Sequence, residues 1–538
     1  MFFKRLLSAF SPRRTELDKL RAKWGKRGAK DGWLASRYFD LTRVDSTRKY
    51  VDDKTWADLE FPRIFSYLDS TETPLGSQSL FRTLREYVDD PSELTQRYDA
   101  YGVLRSNAPL REEIQLRLVS LQADSNAGIA DAVFGQPPEK PKHHIVLPIL
   151  SLLSAATLAA VFLLSLPLAF WLVLVALNTV VIFRVSPTLH RDAETLKDCY
   201  QLLRVADGLA SLQPSSPSLA WFKRLAEEAP RRAAARKALR WFCISRGVLA
   251  QSLYLWLNLA FLLELIAYVR TIDRFVRIRA DLASSFELVG SLDAAVALAS
   301  HLEHCPDHCR PTVADGPLIE IEEGHHPLLA KPVKNSILLD GRSALITGSN
   351  MAGKTTFVKM VGINIIFART VGFCFAAKAV VPRSSVMASI RGEHSVESGK
   401  SHYFAEIEAI HSFIENAEQG HCKVFVIDEL FNGTNTIERL AAARAVLESL
   451  CRKAQVLVTT HDVELQPALA TRYDLYHFQE GPDVEGFFDY RLRTGATTAR
   501  NAIRLLERMG FPKDIVSDAM AFADERTPET ETPPGTDL

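Results

Sequence analysis

The chain has no surplus of either charge: 64 lysines and arginines balance 64 aspartates and glutamates. The molecule as a whole therefore exerts no long-range pull on polyphosphate, and any nucleic-acid surface has to be a local patch. Cysteine is scarce. The seven present form an odd set without framework spacing, which argues against a disulfide-stapled secreted scaffold and suits a reducing cytosol. The basic N-terminal arm, 1–48, lacks both a continuous apolar core and a small-residue cleavage site, so it does not read as a cleaved secretory signal. Two readings stay open for it, a solvated tail or a contact with anionic lipid or nucleic acid. Apolar residues, by contrast, make up 47% of the 538, against 24% charged. That suffices for a real core, in a chain long enough for roughly two to four domains.

Charge is absent altogether from 145–183, IVLPILSLLSAATLAAVFLLSLPLAFWLVLVALNTVVIF. One bilayer crossing takes ~20 apolar residues, so this run is long enough for two, with a break at Ser165-Leu166-Pro167. The expectation is a transmembrane helical hairpin. Lys140 and Lys142 before it and Arg184 and Arg191 after it place both ends in the cytoplasm. The competing reading is a very apolar buried helix pair, although soluble helices usually carry a polar stripe. A second apolar stretch, 247–269, is interrupted by Gln251, Ser252, Asn258 and Glu264, and reads better as a core helix than as a span.

On either side of the hairpin, 49–144 and 184–317 read as helices joined by turns such as Thr73-Pro74-Leu75-Gly76. From Leu318 the texture changes. Short β-rich runs (LIEIEE, SALITG, KVFVID, QVLVTT, YDLYHF, GFFDYRL) alternate with amphipathic helices, which predicts an α/β layer with a largely parallel sheet over 318–524. The tail, 525–538, is rich in Pro, Thr and Glu and is expected to be disordered.

Three elements of the C-terminal third carry chemistry. Gly348-Ser349-Asn350-Met351-Ala352-Gly353-Lys354-Thr355, followed by Thr356, fits G-x-x-x-x-G-K-[ST] between a strand and a helix. Backbone N–H groups and a helix N-terminus converging there would cradle phosphates. Lys354 would reach the β- and γ-phosphates and Thr355 would offer its hydroxyl to Mg²⁺. Second, VFVIDE ends a buried strand in two acids: Asp428 to hold the Mg²⁺ shell, Glu429 to orient or deprotonate an attacking water. Third, VLVTTHD ends a strand at His461, placed to meet the γ-phosphate or the water. Alone, each has a bland reading as a strand end. Together, in this order, they predict a P-loop ATPase using ATP and Mg²⁺. A weaker constellation, His301, His304, Cys305, His308 and Cys309, could bind zinc, but no second cluster completes the spacing and a connector is the better account.

These segments resemble the MutS family. ITGSNMAGKTTFVKMVGINIIFA is similar to its phosphate loop, TGPNMGGKST, down to the Asn-Met pair; DELFNGTNT resembles DEIGRGTST, TTHDVEL resembles ATHYFEL, and SGKSHYFAEIEAI resembles SGRSTFMVEMTET. His326-Pro327 matches the His-Pro that opens the family's ATPase domain, and DKTWADLEFPRIFSYLDSTETPLGSQSLFRTLR resembles the start of its lever domain. The resemblance implies phosphate and Mg²⁺ binding by Asn350, Lys354, Thr355 and Asp428, water activation by Glu429, and γ-phosphate sensing by His461. Ser401 falls where the family inserts a serine into the partner subunit's site, which implies a homodimer with composite sites.

The departures matter too. About fifty residues precede the lever-like region, too few for a mismatch-reading domain. Phe431-Asn432 replace the usual Gly-Arg, and His402 replaces a Thr. Phe404-Ala405-Glu406 matches the Phe-x-Glu mismatch wedge, but on a helix whose Ile407, Ile410 and Ile414 look core-facing, so a wedge role is rejected. The hairpin looks like that of a membrane-linked bacterial branch of MutS-related proteins. The expected architecture is thus a C-terminal α/β P-loop NTPase domain behind an all-α lever and core domain that a transmembrane hairpin interrupts. It would lie in the inner membrane with the ATPase domain in the cytoplasm. It would couple ATP state to DNA, or alternatively act as a switch on an unidentified protein partner. Arg231-Arg232 and Arg236-Lys237 are the basic patches that a DNA role would draw on, unless they are merely solvated helix faces. A transporter ATPase is disfavoured because no LSGGQ-like signature precedes the DE strand.

Overall fold

A computed structural model describes residues 12–28, 34–43, 49–121, 128–141, 144–214, 216–244, 251–390, 402–431, 435–480, 488–496, 506 and 509–525. Most of the N-terminal arm's first dozen residues and nearly all of the tail lie outside these. The chain divides into two compact units, one made of 1–50, 62–306 and 370–372, the other of 51–61, 307–369 and 373–538.

The first unit is helical. Two helices dominate it, Leu168–Ala210 with 43 residues and Leu263–His304 with 42. The Thr-x-Thr-Pro-x-Gly turn docks on the second of them. Asp293, fully buried, accepts hydrogen bonds from Glu72 N at 2.9 Å, Thr73 N at 2.8 Å and Thr73 Oγ1 at 2.7 Å. Thr73 in turn caps helix Pro74–Arg85 by accepting from Gly76 N at 2.9 Å. Pro74 suits the first turn, where its missing N–H costs nothing. Gly76 is required by close approach: a Cβ there would lie 2.1 Å from Asp293 Oδ2.

Helix Val146–Leu163 and the first turns of Leu168–Ala210 form the apolar hairpin, broken at Ser165, whose φ is +54°, and at Pro167. The first arm has a mean hydropathy of 2.3 and is only 11% buried, with Leu152, Phe162 and Leu163 exposed. The stretch 247–269 is not the single core helix expected. Leu262, at φ +52°, splits it into helix Gln251–Phe261 and the start of Leu263–His304. Asn258 Oδ1 stitches the break by accepting from Glu264 N at 2.8 Å, and Asn178 donates to the freed Ala260 carbonyl at 2.8 Å. Leu255 and Trp256 are exposed, whereas Leu265 and Tyr268 are buried.

The basic patches are smaller than the sequence suggests. Arg232 is fully buried and donates to Asp207 Oδ1 at 3.0 Å, while Arg236 Nη1 donates to Asp207 Oδ2 at 2.8 Å. Arg231 and Lys237 stay exposed.

The second unit is α/β, with two sheets among the described residues. Its strands are β1 Thr312–Ala314, β2 Leu318–Gly324, β3 Asn335–Asp340, β4 Ser343–Thr347, β5 Lys378–Pro382, β6 Ser385–Ser389, β7 Cys422–Asp428, β8 Gln455–Thr460, β9 Tyr473–Glu480 and β10 Phe488–Thr494. The larger sheet runs β10-β9-β4-β8-β7-β6, parallel except for the β9–β10 pair. The smaller, β1-β5-β2-β3, is mostly antiparallel and is not apparent from the sequence pattern. Strands β4 and β8, buried throughout, and β7, buried from Val424 to Asp428, read as largely apolar runs because helices cover both faces of a parallel sheet. Phe425 of β7 stacks on Phe413 of helix His402–Glu418, with ring centroids 4.9 Å apart. The edge strand β6 is covered by helix Asp53–Asp58: Ala388 N donates to Thr55 Oγ1 and Ile390 N to Asp58 Oδ2, both at 2.9 Å.

Candidate nucleotide site

The carboxyl ends of β4, β7 and β8 are adjacent in the parallel sheet, so whatever follows each strand converges on one spot. After β4 comes the glycine loop. Gly348 has φ +130°, and a Cβ on it would lie 2.6 Å from the Phe478 carbonyl. Gly353 has φ +101°, a conformation that glycine alone adopts without strain, and the helix Lys354–Thr370 starts directly after it. Between them, Asn350–Ala352 makes a single 3₁₀ turn, closed by Ala352 N donating to Ser349 O at 3.1 Å. Met351 is exposed, as is Thr356; the side chain of Asn350 lies outside the described residues.

Lys354 is fully buried. Its ammonium donates to the Gly348 carbonyl and lies 3.3 Å from His461 Nδ1. Burial lowers its pKa from 10.5 to about 8, and Glu429, Asp428 and Asp462 offset part of that effect. Thr355 Oγ1 donates to Asp428 Oδ2 at 2.8 Å, and Thr459 Oγ1 donates to the other carboxylate oxygen. A hydroxyl beside a carboxylate is a hard-oxygen pair that fits Mg²⁺. Glu429 is buried, and its N donates to Thr459 O at 3.1 Å. Its φ is +58°, uncommon for any residue but glycine, and such strain clusters at functional sites. His461 Nε2 sits 2.8 Å from Glu429 Oε1.

Sequence reasoning thus places Lys354, Thr355, Asp428, Glu429 and His461 in one cluster, and the structure brings all five together. Ser401 lies outside the described residues. Two partners escaped the sequence reading. Arg439 clamps Asp462, the neighbour of His461, through bonds of 2.6 and 3.1 Å, which hold the guanidinium more basic than usual. Tyr490, at φ +55°, packs its ring against Gly353 and leaves the other side exposed. Neither has a local signature, since Asp-Arg and Tyr-Gly pairs this far apart are visible only in the fold.

Among the described residues no group of three or more His, Cys, Asp or Glu side chains is placed to hold a metal. His301 is buried against the Tyr67 ring, centroids 5.2 Å apart, while Cys309 exchanges backbone hydrogen bonds with Cys374. On helix His402–Glu418, Ile410 enters the core, whereas Ile407 is 39% exposed, contrary to the expected stripe.

Residues 344–526 match the family model described as MutS domain V. The chain is similar to the DNA mismatch repair protein MutS of Natronomonas pharaonis, 31% identical over 267 residues that cover 46% of this chain and 31% of that one. It is also similar to the Endonuclease MutS2 of Carboxydothermus hydrogenoformans, 29% identical over 252 residues covering 46% and 32%. The DNA mismatch repair protein MutS 2 of Halobacterium salinarum is 31% identical over 272 residues, covering 47% and 31%. The chain spans about a third of the length of these relatives. The domain match and these similarities support the MutS family.

Proposed function

We propose that this chain is a MutS-like ATPase that binds and hydrolyses ATP at the cluster of Lys354, Thr355, Asp428, Glu429 and His461. The observation that carries the reading is their convergence: a phosphate-loop lysine, a hydroxyl–carboxylate pair and a Glu–His pair meet at the ends of three adjacent parallel strands. Loop N–H groups and the helix N-terminus receive the phosphates, and Lys354 neutralises their charge. Thr355 and Asp428 would hold Mg²⁺, which when bound screens the charge of the transferring phosphoryl group. Glu429 orients the water and takes its proton, with its neighbour His461 keeping the carboxylate directed. Purified full-length protein hydrolysing ATP only with Mg²⁺, and not after Lys354→Ala, is the test; a Lys354→Ala protein of normal rate would refute the site.

Three further parts of the reading extend past the site. Two copies pair so that Ser401 of each completes the other's site. The hairpin over 145–183 tethers the chain to the cytoplasmic membrane, supported by its exposed apolar surface and by a first arm of 18 residues, ~27 Å as a helix. The ATPase unit lies on the cytoplasmic side, a placement that the flanking Lys140 and Arg184 favour.

ATP state is coupled to DNA, in keeping with relatives named for mismatch repair. A second reading, a switch acting on a protein partner without nucleic acid, is favoured by one observation: Asp207 occupies Arg232 and Arg236, half of the basic patch. ATPase stimulation by duplex or branched DNA that fades with salt supports the first reading; indifference to every DNA at low salt supports the second.

A further inference from the structure

Glu429 does not stand on an ordinary strand end. The chain enters the left-handed region at Glu429, with φ +58°, and again at Phe431, with φ +60°, and neither is glycine. Such a turn persists only when its surroundings over-determine it. From the sheet side it is held by Glu429 N donating to Thr459 O and by the Thr459–Asp428 bond. From the other side the carboxylate of Glu406 reaches it and accepts the Phe431 N–H. Leu430 and Phe431 are both buried, so without that acceptor the amide would lose its partner away from water.

Glu406 itself is firmly placed. Its helix, His402–Glu418, is anchored in the core through Ile410 and through Phe413 stacked on Phe425. One turn earlier, Tyr403 meets the Phe431 ring with centroids 6.3 Å apart, so helix and turn touch through both a polar and an aromatic pair. The family's glycine-arginine is replaced here by Phe431-Asn432. A non-glycine at a left-handed position needs more support than glycine would, and Glu406 supplies it.

We propose that Glu406 is a positioning residue for ATP hydrolysis: its carboxylate pins the Glu429-Leu430-Phe431 turn and so fixes the direction of the Glu429 side chain. This rests on Glu429 being the group that activates water. Glu406 acts on the reaction through this turn, so its loss should change the chemical step and leave substrate binding alone.

The experiment is steady-state ATP hydrolysis and nucleotide binding by the full chain in detergent, for wild type, Glu406→Ala, Glu406→Gln, Glu429→Gln and the Glu406→Ala/Glu429→Gln double variant. Glu406→Ala should lower kcat about tenfold to a hundredfold with KM and nucleotide Kd changed less than about twofold. Glu406→Gln keeps a side-chain carbonyl acceptor and should recover most of the rate. In the Glu429→Gln background, Glu406→Ala should cost nothing further, because the group it positions is already disabled. A full rate in Glu406→Ala, or an equal extra loss in the double variant, would overturn the proposal while leaving Glu429 in place. Should Glu406→Ala melt early, the Glu406→Gln pair carries the test: a stable Glu406→Gln protein as slow as Glu429→Gln would show that acceptor geometry is not the cause. If Glu429→Gln hydrolyses ATP normally, the assignment of Glu429 fails, and the role of Glu406 with it.

Discussion

His461 Nε2 lies 2.8 Å from Glu429 Oε1, so the residue that follows β8 touches the carboxylate of the residue that follows β7. The imidazole also faces the Lys354 ammonium at 3.3 Å, which places it between the proposed base and the proposed phosphate-binding cation. His461→Ala should therefore slow turnover by about tenfold to a hundredfold while nucleotide affinity stays within a few-fold. Single-turnover hydrolysis beside equilibrium binding checks this. Equal losses in both would mean that the ring serves binding alone.

Lys354 is predicted to make ATP binding pH-dependent. Its amine, lowered to about 8 by burial, is charged below that pH and neutral above it, and the phosphates need the charged form. ATP affinity should be flat up to neutrality and fall as pH rises through about 8. Lys354→Arg, which stays charged, should flatten the profile. The nucleotide-free protein should show the matching stability effect. Because the folded pKa lies below the ordinary 10.5, the unfolded chain holds more protons between about 8 and 10.5, and stability rises with pH in that window. Affinity and melting temperature measured across pH decide the matter; identical profiles for wild type and Lys354→Arg would contradict it.

Asp293 is predicted to matter to stability and not to chemistry. It accepts from three donors of the Thr71–Thr73 turn, all buried. Asp293→Ala should cost about 2–4 kcal/mol by leaving these donors unsatisfied, and Asp293→Asn less, because one acceptor remains. Thermal unfolding of the full chain reads this, with ATP affinity as the control that should not move.

The hairpin makes a prediction independent of the site. Deleting 145–183 should release the chain from vesicles and leave ATP turnover within about twofold. Sedimentation with liposomes, before and after an alkaline wash, gives the answer. A full-length chain that stays in the supernatant would remove the membrane tether.

Much of this site was legible in the sequence because its determinants are local. The loop 348–355 carries its own glycines, and β7 and β8 announce themselves as apolar runs ending in Asp428-Glu429 and His461. What was missed depends on partners distant in the chain. Asp293 meets Thr73 across 220 residues, and Glu406 meets Phe431 across 25, with no periodicity linking them. Of the small sheet only β2 was legible, as LIEIEE; β1 has just three residues, and the sheet draws β5 from beyond the phosphate-loop helix. Arg232 looked like surface charge, since nothing near it in sequence reveals that Asp207 lies opposite.

The most direct test of the central claim is ATP turnover and ATP retention by wild type and Glu429→Gln side by side, with Mg²⁺ present. The site described here predicts a hydrolysing wild type, and a variant slowed about a hundredfold or more that retains bound ATP. A Glu429→Gln protein that turns over at the wild-type rate, or a wild type that binds no ATP, would contradict it.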